Sequence, residues 1–230
     1  MSRHAHLLVK AARSYAEAGA HTDAARCYDA VGWRWTAAEA YERAGDLEHA
    51  AETYRRAGHA AQAAHCYRLL GRPERAAQCW LDRNRPLEAA WELLLAGHTH
   101  RTDSLLAAAD RLSGQTAGGG SSPLRLELAR ALRARIGGGP PEPLLAALGR
   151  LEVHLGALSS RGERIALLEW GVEAADRLER FDWGARLFGA AHRPHGEDEG
   201  PDEILERWHQ WAGLHLGGNA WLPPLNVRAG

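Results

Sequence analysis

The sequence predicts an all-α protein: a stack of short antiparallel helices, each a 13-residue unit and two units to a 26-residue hairpin, followed by longer C-terminal helical hairpins. Three observations carry this. Tyr15, Tyr28, Tyr41, Tyr54, Tyr67 and Trp80 recur every thirteen residues, with Leu93 continuing the series. A glycine follows four residues after each (Gly19, Gly32, Gly45, Gly58, Gly71, then Asn84, then Gly97), and alanine pairs fall nine and ten residues after, from Ala24-Ala25 to Ala89-Ala90. No segment alternates polar and apolar residues over the length of a strand.

One unit shows why the period means a helix. In Asp46–Gly58, Leu47, Ala50, Ala51, Tyr54 and Ala57 fall at i, i+3, i+4, i+7 and i+10, one face of a helix. Glu48, Glu52, Arg55 and Arg56 fall off that face. Asp46 stands where an N-cap belongs. Gly58 supplies a left-handed stop. Pro73 and Pro86 open later units, where a first helical turn tolerates proline. A helix of about ten residues is marginal alone and must bury its stripe on its neighbours. The alanine pairs let backbones approach, and the aromatic fills the remaining gap. Ala11-Ala12 fits one unit earlier. Cys27, Cys66 and Cys79 precede the aromatic, in a slot that elsewhere holds Ser14, Ala40 and Thr53, so they read as small packing residues.

Past the stack the period fails at 99–104, where Thr102-Asp103 replaces the alanine pair. The organisation read from the sequence is a stack over 1–112, a Gly/Ser linker over 113–122, a helical region over 123–217 that caps or continues the stack, and an irregular tail over 218–230. Within the third segment, helices are expected over 124–136, 142–158, 163–179 and 182–191, the last echoing the earlier units. An acidic loop over 192–200 and a final helix over 201–216 follow.

The run Tyr41-Glu42-Arg43-Ala44-Gly45-Asp46-Leu47-Glu48-His49-Ala50-Ala51-Glu52-Thr53-Tyr54 resembles the tetratricopeptide-like helical-repeat superfamily. Within it, the similarity is to soluble NSF-attachment-protein-like and intraflagellar or coatomer-type solenoids. It covers residues 2–105. It departs from the standard tetratricopeptide repeat, whose period is about 34 residues, so that family's peptide-carboxylate clamp is not carried over. The resemblance implies a right-handed α-solenoid, binding of a protein or peptide, and no catalysis.

Composition narrows the partners. The formal net charge is −1, and Lys10 is the single lysine among 28 basic residues. Neither half is basic enough to point to nucleic acid. No run reaches the length of a membrane span. The N-terminus lacks a signal-peptide pattern, so the expectation is a cytoplasmic protein.

Candidate contact residues stand at two places. Trp33-Arg34-Trp35 puts two rings and a guanidinium in one turn, the make-up of an interface anchor; a hydrophobic contact that fixes the next helix would use the same residues. Arg68, Arg72, Arg75, Arg83 and Arg85 crowd two consecutive turns and suit an acidic peptide or phosphate, with Glu74 and Asp82 offsetting part of the charge. Thirteen histidines raise a metal site, nearest at His192, His195, Glu197, Asp198 and Glu199, and also at His4 with His6 and His98 with His100. Ligand spacing on one helix face is lacking, and no metal or cofactor is expected. No nucleophile elbow, phosphate-binding loop or dinucleotide fingerprint occurs. The sequence therefore reads as a non-catalytic interaction scaffold or adaptor for another protein or peptide, one subunit of a larger assembly. A ligand sensor between the stack and the C-terminal helices, and an enzyme with a His/acid site, are the alternatives.

Overall fold

The computed structural model describes residues 3–113, 122–192 and 203–216, and all regular structure among them is helical. It forms two compact units, residues 1–105 and 106–230. The first contains α1 (Arg3–Glu17), α2 (His21–Ala30), α3 (Arg34–Arg43), α4 (Leu47–Ala57), α5 (Ala60–Leu69), α6 (Pro73–Leu81) and α7 (Pro86–Leu95). α8 (Thr102–Ser113) spans the division. α9 (Ser122–Ile136), α10 (Glu142–Ala157), α11 (Arg161–Arg177), α12 (Phe181–Ala191) and α13 (Glu203–His215) belong to the second.

In the first unit each helix packs on the next, from α1 on α2 through α6 on α7. The turns are one motif repeated. The residue four after the aromatic is left-handed in every turn, with φ between 55° and 83°. The N–H that follows it returns to the carbonyl of the aromatic slot at 2.8–3.0 Å, as in Asp46 N to Tyr41 O and His98 N to Leu93 O. That bond satisfies a helix-end carbonyl that would otherwise lack a partner and reverses the chain within three residues. Glycine bears this conformation without strain; Asn84, at φ 55°, is the residue type best able to replace it. Asp46 caps α4 by accepting from His49 N at 3.2 Å. Pro73 and Pro86 begin α6 and α7.

The alanine pairs of α2–α7 are buried throughout. The pairs of α2–α5 and Ala76 make one core with Tyr28, Tyr41, Tyr54, Tyr67, Cys66 and Cys79, and Ala77, Ala89 and Leu93 make a second, smaller one, with Trp80 packed against both. Burial pushes the Cys66 thiol up to about 12 and the Cys79 thiol up to about 11, which keeps both protonated and inert. Two positions depart from the expected pattern. Tyr15 is 43% exposed because, among the described residues, no helix precedes α1 to cover it. Trp80 is only half-buried; its indole N–H donates to Glu92 at 3.2 Å and Arg85 lies over its ring. The register also outlasts its sequence signal. Thr102 is fully buried in the first slot of the alanine pair, its hydroxyl donating to Thr99 O at 2.6 Å, and Leu106 is buried in the aromatic slot.

Arginine–carboxylate pairs join helices two apart. Arg56 reaches back to Asp29 (3.2 Å), Arg75 to Glu48 (3.2 Å), Arg55 forward to Asp82 (3.2 Å) and Arg68 to Glu92 (2.9 Å). Each pair is separated by 24 or 27 residues, close to two units.

The second unit has a different core. Leu144, Leu148, Leu151 and Leu155 of α10 are fully buried, as are Leu128 and Leu132 of α9, Leu167 and Leu168 of α11, and Leu187 of α12. Here α9 packs on both α10 and α11, α12 on both α10 and α11, and α13 on α12. Trp211 of α13 lies over Gly184 of α12, where an added Cβ would fall 2.3 Å from its ring. Its indole N–H donates to Asp176 at 3.0 Å. Burial raises the Asp176 carboxyl above the ordinary range, against the lowering effect of that bond and of His215. Arg164 is buried and donates to Leu158 O (3.1 Å) and Ser159 O (2.8 Å), closing the C-terminal end of α10. Element boundaries differ from the sequence reading by one to three residues. α8 (Thr102–Ser113) runs through residues 102–104, where the sequence period fails, α9 begins two residues early at Ser122, and α11 begins and ends two residues earlier than expected. The Gly-rich run 114–121, the residues 193–202 and the tail from 217 lie outside the described residues.

Candidate protein-interaction surface

Trp33 and Trp35 flank the first residue of α3, two positions apart, so their side chains leave the helix start in different directions. Trp33, the N-cap residue, stacks on Tyr28 of α2 at 5.9 Å between centroids and 8° between planes. Trp35 meets Tyr54 edge-on at 5.3 Å and His59 at 4.5 Å. Each ring is thus fixed on one side by the stack and open on the other, with 38% and 39% of its surface exposed. Arg34, between them, is exposed. Two anchored, half-open indoles have little rotamer freedom left to lose when a partner covers them, which is the property of an aromatic contact residue. The same stacking on Tyr28 fixes the turn, so one geometry serves both roles read from the sequence.

The arginines are distributed differently. Arg68 of α5 pairs with Glu92 of α7. Arg72 and Arg75 both reach Glu48 of α4, and Arg75 lies over the Tyr67 ring at 5.7 Å. Arg85, the N-cap residue of α7, pairs with Glu88 in the first turn of that helix and covers Trp80. The guanidinium of Arg83 lies against Gly58. So Arg68, Arg72, Arg75 and Arg85 each face a carboxylate, and the two turns lie at opposite ends of the helices, Arg72 and Arg75 by Glu48 at the start of α4 and Arg83 by Gly58 at its end, so the structure does not join them in one positive patch. The acids that balance them are Glu48, Glu88 and Glu92. Glu74 instead lies 2.8 Å from His98, and Asp82 accepts from Arg55.

Sequence reasoning missed Glu92. It occupies the small slot filled elsewhere by Cys66 and Cys79, and it is 4% exposed. A carboxylate there is sustained by Arg68 and the Trp80 N–H. The signal was present as a lone acid in a slot of small residues. Glu42 is its counterpart deeper in the stack, half-buried and accepting from the Tyr54 hydroxyl at 2.6 Å and from Cys66 at 3.5 Å. Burial, then Glu42, raise the Tyr54 hydroxyl far above its ordinary value. Beside Glu92 opens a cleft of about 430 Å³ whose lining includes Arg68, Pro73, Glu74, Leu95 and His98, all within the first unit.

Of the histidine sets, His4 and His6 are exposed on α1, and the His98 and His100 rings lie 5.6 Å apart. Among the described residues no three or more His, Cys, Asp or Glu side chains are grouped to hold a metal ion. His195, Glu197, Asp198 and Glu199 lie outside the described residues. No described helix is long and apolar enough to cross a membrane. Comparisons with models of known protein families, with curated proteins and with solved structures found no match.

Proposed function

We propose that this chain is a non-catalytic interaction scaffold, a right-handed α-solenoid of the tetratricopeptide-like kind that holds another protein or peptide as one subunit of a cytoplasmic assembly. The observation that carries this reading is the pair Trp33 and Trp35, each held by stack aromatics on one side and open on the other. Arg34 adds an exposed cation between them. Arg68, Arg72, Arg75 and Arg85, already matched by carboxylates, are further candidate contacts that would contribute specificity more than affinity. Affinity capture from native cells, quantified by mass spectrometry, tests it. Trp33→Ala/Trp35→Ala should reduce recovery of a reproducible partner by at least tenfold while helicity stays unchanged. Equal recovery removes these residues from the interface. A second reading, a peptide or small-molecule sensor, is favoured by the cleft beside Glu92. A ligand that raises the melting temperature at many-fold excess over its Kd supports it, provided that Glu74→Gln weakens the effect.

A further inference from the structure

The turns before α3, α5 and α7 come together at one end of the stack, because the helix pair between them carries the chain away and back. Contacts across these turns trace a row. The Trp35 ring, next to Arg34 at the start of α3, lies 4.5 Å from His59, the N-cap residue of α5. Beside His59, Gly58 has the Arg83 guanidinium against it, from the turn before α7. Trp33, Arg34, Trp35, His59 and Arg83 are all exposed. The row therefore runs from two indoles through an imidazole to a guanidinium, with a second guanidinium between the indoles.

The charge of this end is unbalanced. Its acids are engaged: Asp29 accepts from Arg56, Asp82 from Arg55 and Gln78, and Glu88 pairs with Arg85. Arg34 and Arg83 have no carboxylate partner among the described residues. No acidic residue stands in the first turn of α3 or α5 to repel an anion, whereas Asp23, Glu48 and Glu74 stand there in α2, α4 and α6, which start at the other end. A guanidinium takes a carboxylate through two parallel N–H bonds, and an indole offers an apolar face to a side chain lying between them. A polynucleotide would also stack on the rings, but its binding draws on many phosphate contacts, and two unpaired cations on a chain of net charge −1 supply few. We infer that this end of the stack takes an acidic, extended segment of a partner protein, with apolar side chains seated on Trp33 and Trp35 and carboxylates on Arg34 and Arg83. The inference rests on the scaffold reading above and names the chemistry of the partner.

A random peptide library displayed on phage and selected against the full chain tests this, with the recovered peptides then measured by fluorescence anisotropy. The expected peptides carry two or more Asp or Glu beside apolar residues, and their Kd rises with ionic strength. Arg34→Glu/Arg83→Glu should raise Kd at least tenfold with helical circular dichroism unchanged. Arg43→Glu/Arg101→Glu, the same change of charge at the other end of the stack, should leave Kd within twofold. Neutral peptides lost with Trp33→Ala/Trp35→Ala but retained with Arg34→Glu/Arg83→Glu overturn the inference and leave the scaffold reading standing. Acidic peptides insensitive to both double variants overturn it, as does recovery of no peptide. So does oligo(dT) that binds through the same residues more tightly than any recovered peptide, which would make this a nucleic-acid surface.

Discussion

The two units bring helices together by opposite means. In the first, small meets small: an alanine pair on each helix lets the backbones approach, and one aromatic per unit fills the space left. In the second, large meets nothing: Gly184 and Gly171 leave hollows that Trp211 and the Leu151 and Leu187 side chains occupy. The first solution can be repeated without limit, because every helix sees the same neighbours. The second is made once, between particular side chains, and it lets a helix touch more than its sequence neighbours. Leucine and tryptophan thus dominate where packing is irregular, and all five tyrosines of the chain serve the repeat.

The largest test of this contrast is truncation. Tyr54→Ala and Trp208→Ala each remove a nearly fully buried ring and should cost about 3–5 kcal/mol. Amide exchange resolved by peptide should show the first loss centred on α3–α5 and the second spread across α11–α13. A uniform loss after Tyr54→Ala would contradict nearest-neighbour stacking. Next comes the hollow. Gly184→Ala places a methyl 2.3 Å from the Trp211 ring and should cost about 1–3 kcal/mol, with a shift in Trp fluorescence as the ring moves. The smallest effects concern the turn. Glu179 is left-handed at φ 54°, a strained state for a non-glycine residue, so Glu179→Gly should stabilise the second unit by about 1 kcal/mol. Gly45→Val, at φ 75°, should destabilise the first by at least about 1–2 kcal/mol. Urea midpoints of the two variants, moving in opposite directions, would establish that one turn geometry serves both units.

That turn also shows where the sequence stopped being legible. The stack could be read because period, glycine, alanine pair and aromatic all agree. One more copy of the unit lies in α11–α12. Glu179 takes the glycine slot, Gly184-Ala185 the alanine pair and Phe188 the aromatic, while Arg180 N returns to Ala175 O at 3.0 Å as in the stack turns. Its helix was expected as an echo, but its turn was hidden because the marker residue is glutamate. The site was legible in composition and not in pairing. Trp33 and Trp35 were visible as exposed rings in a turn. That Arg68 meets Glu92, and that Arg72 and Arg75 share Glu48, depends on a fold that brings residues 24 and 27 apart side by side. Glu92 was hidden because an isolated acid in a helix ordinarily faces water.

The arginine bonds between alternate helices have a mechanical meaning. They tie rungs that share no turn, so they resist opening of the stack along its length while leaving each turn's own geometry untouched. Salt weakens the exposed pairs, Arg55–Asp82, Arg56–Asp29 and Arg75–Glu48, more than Arg68 with the buried Glu92, and it spares the buried alanine contacts. Ionic strength therefore acts on the stiffness of the coil separately from its integrity, as tension acts on a spring whose wire stays intact.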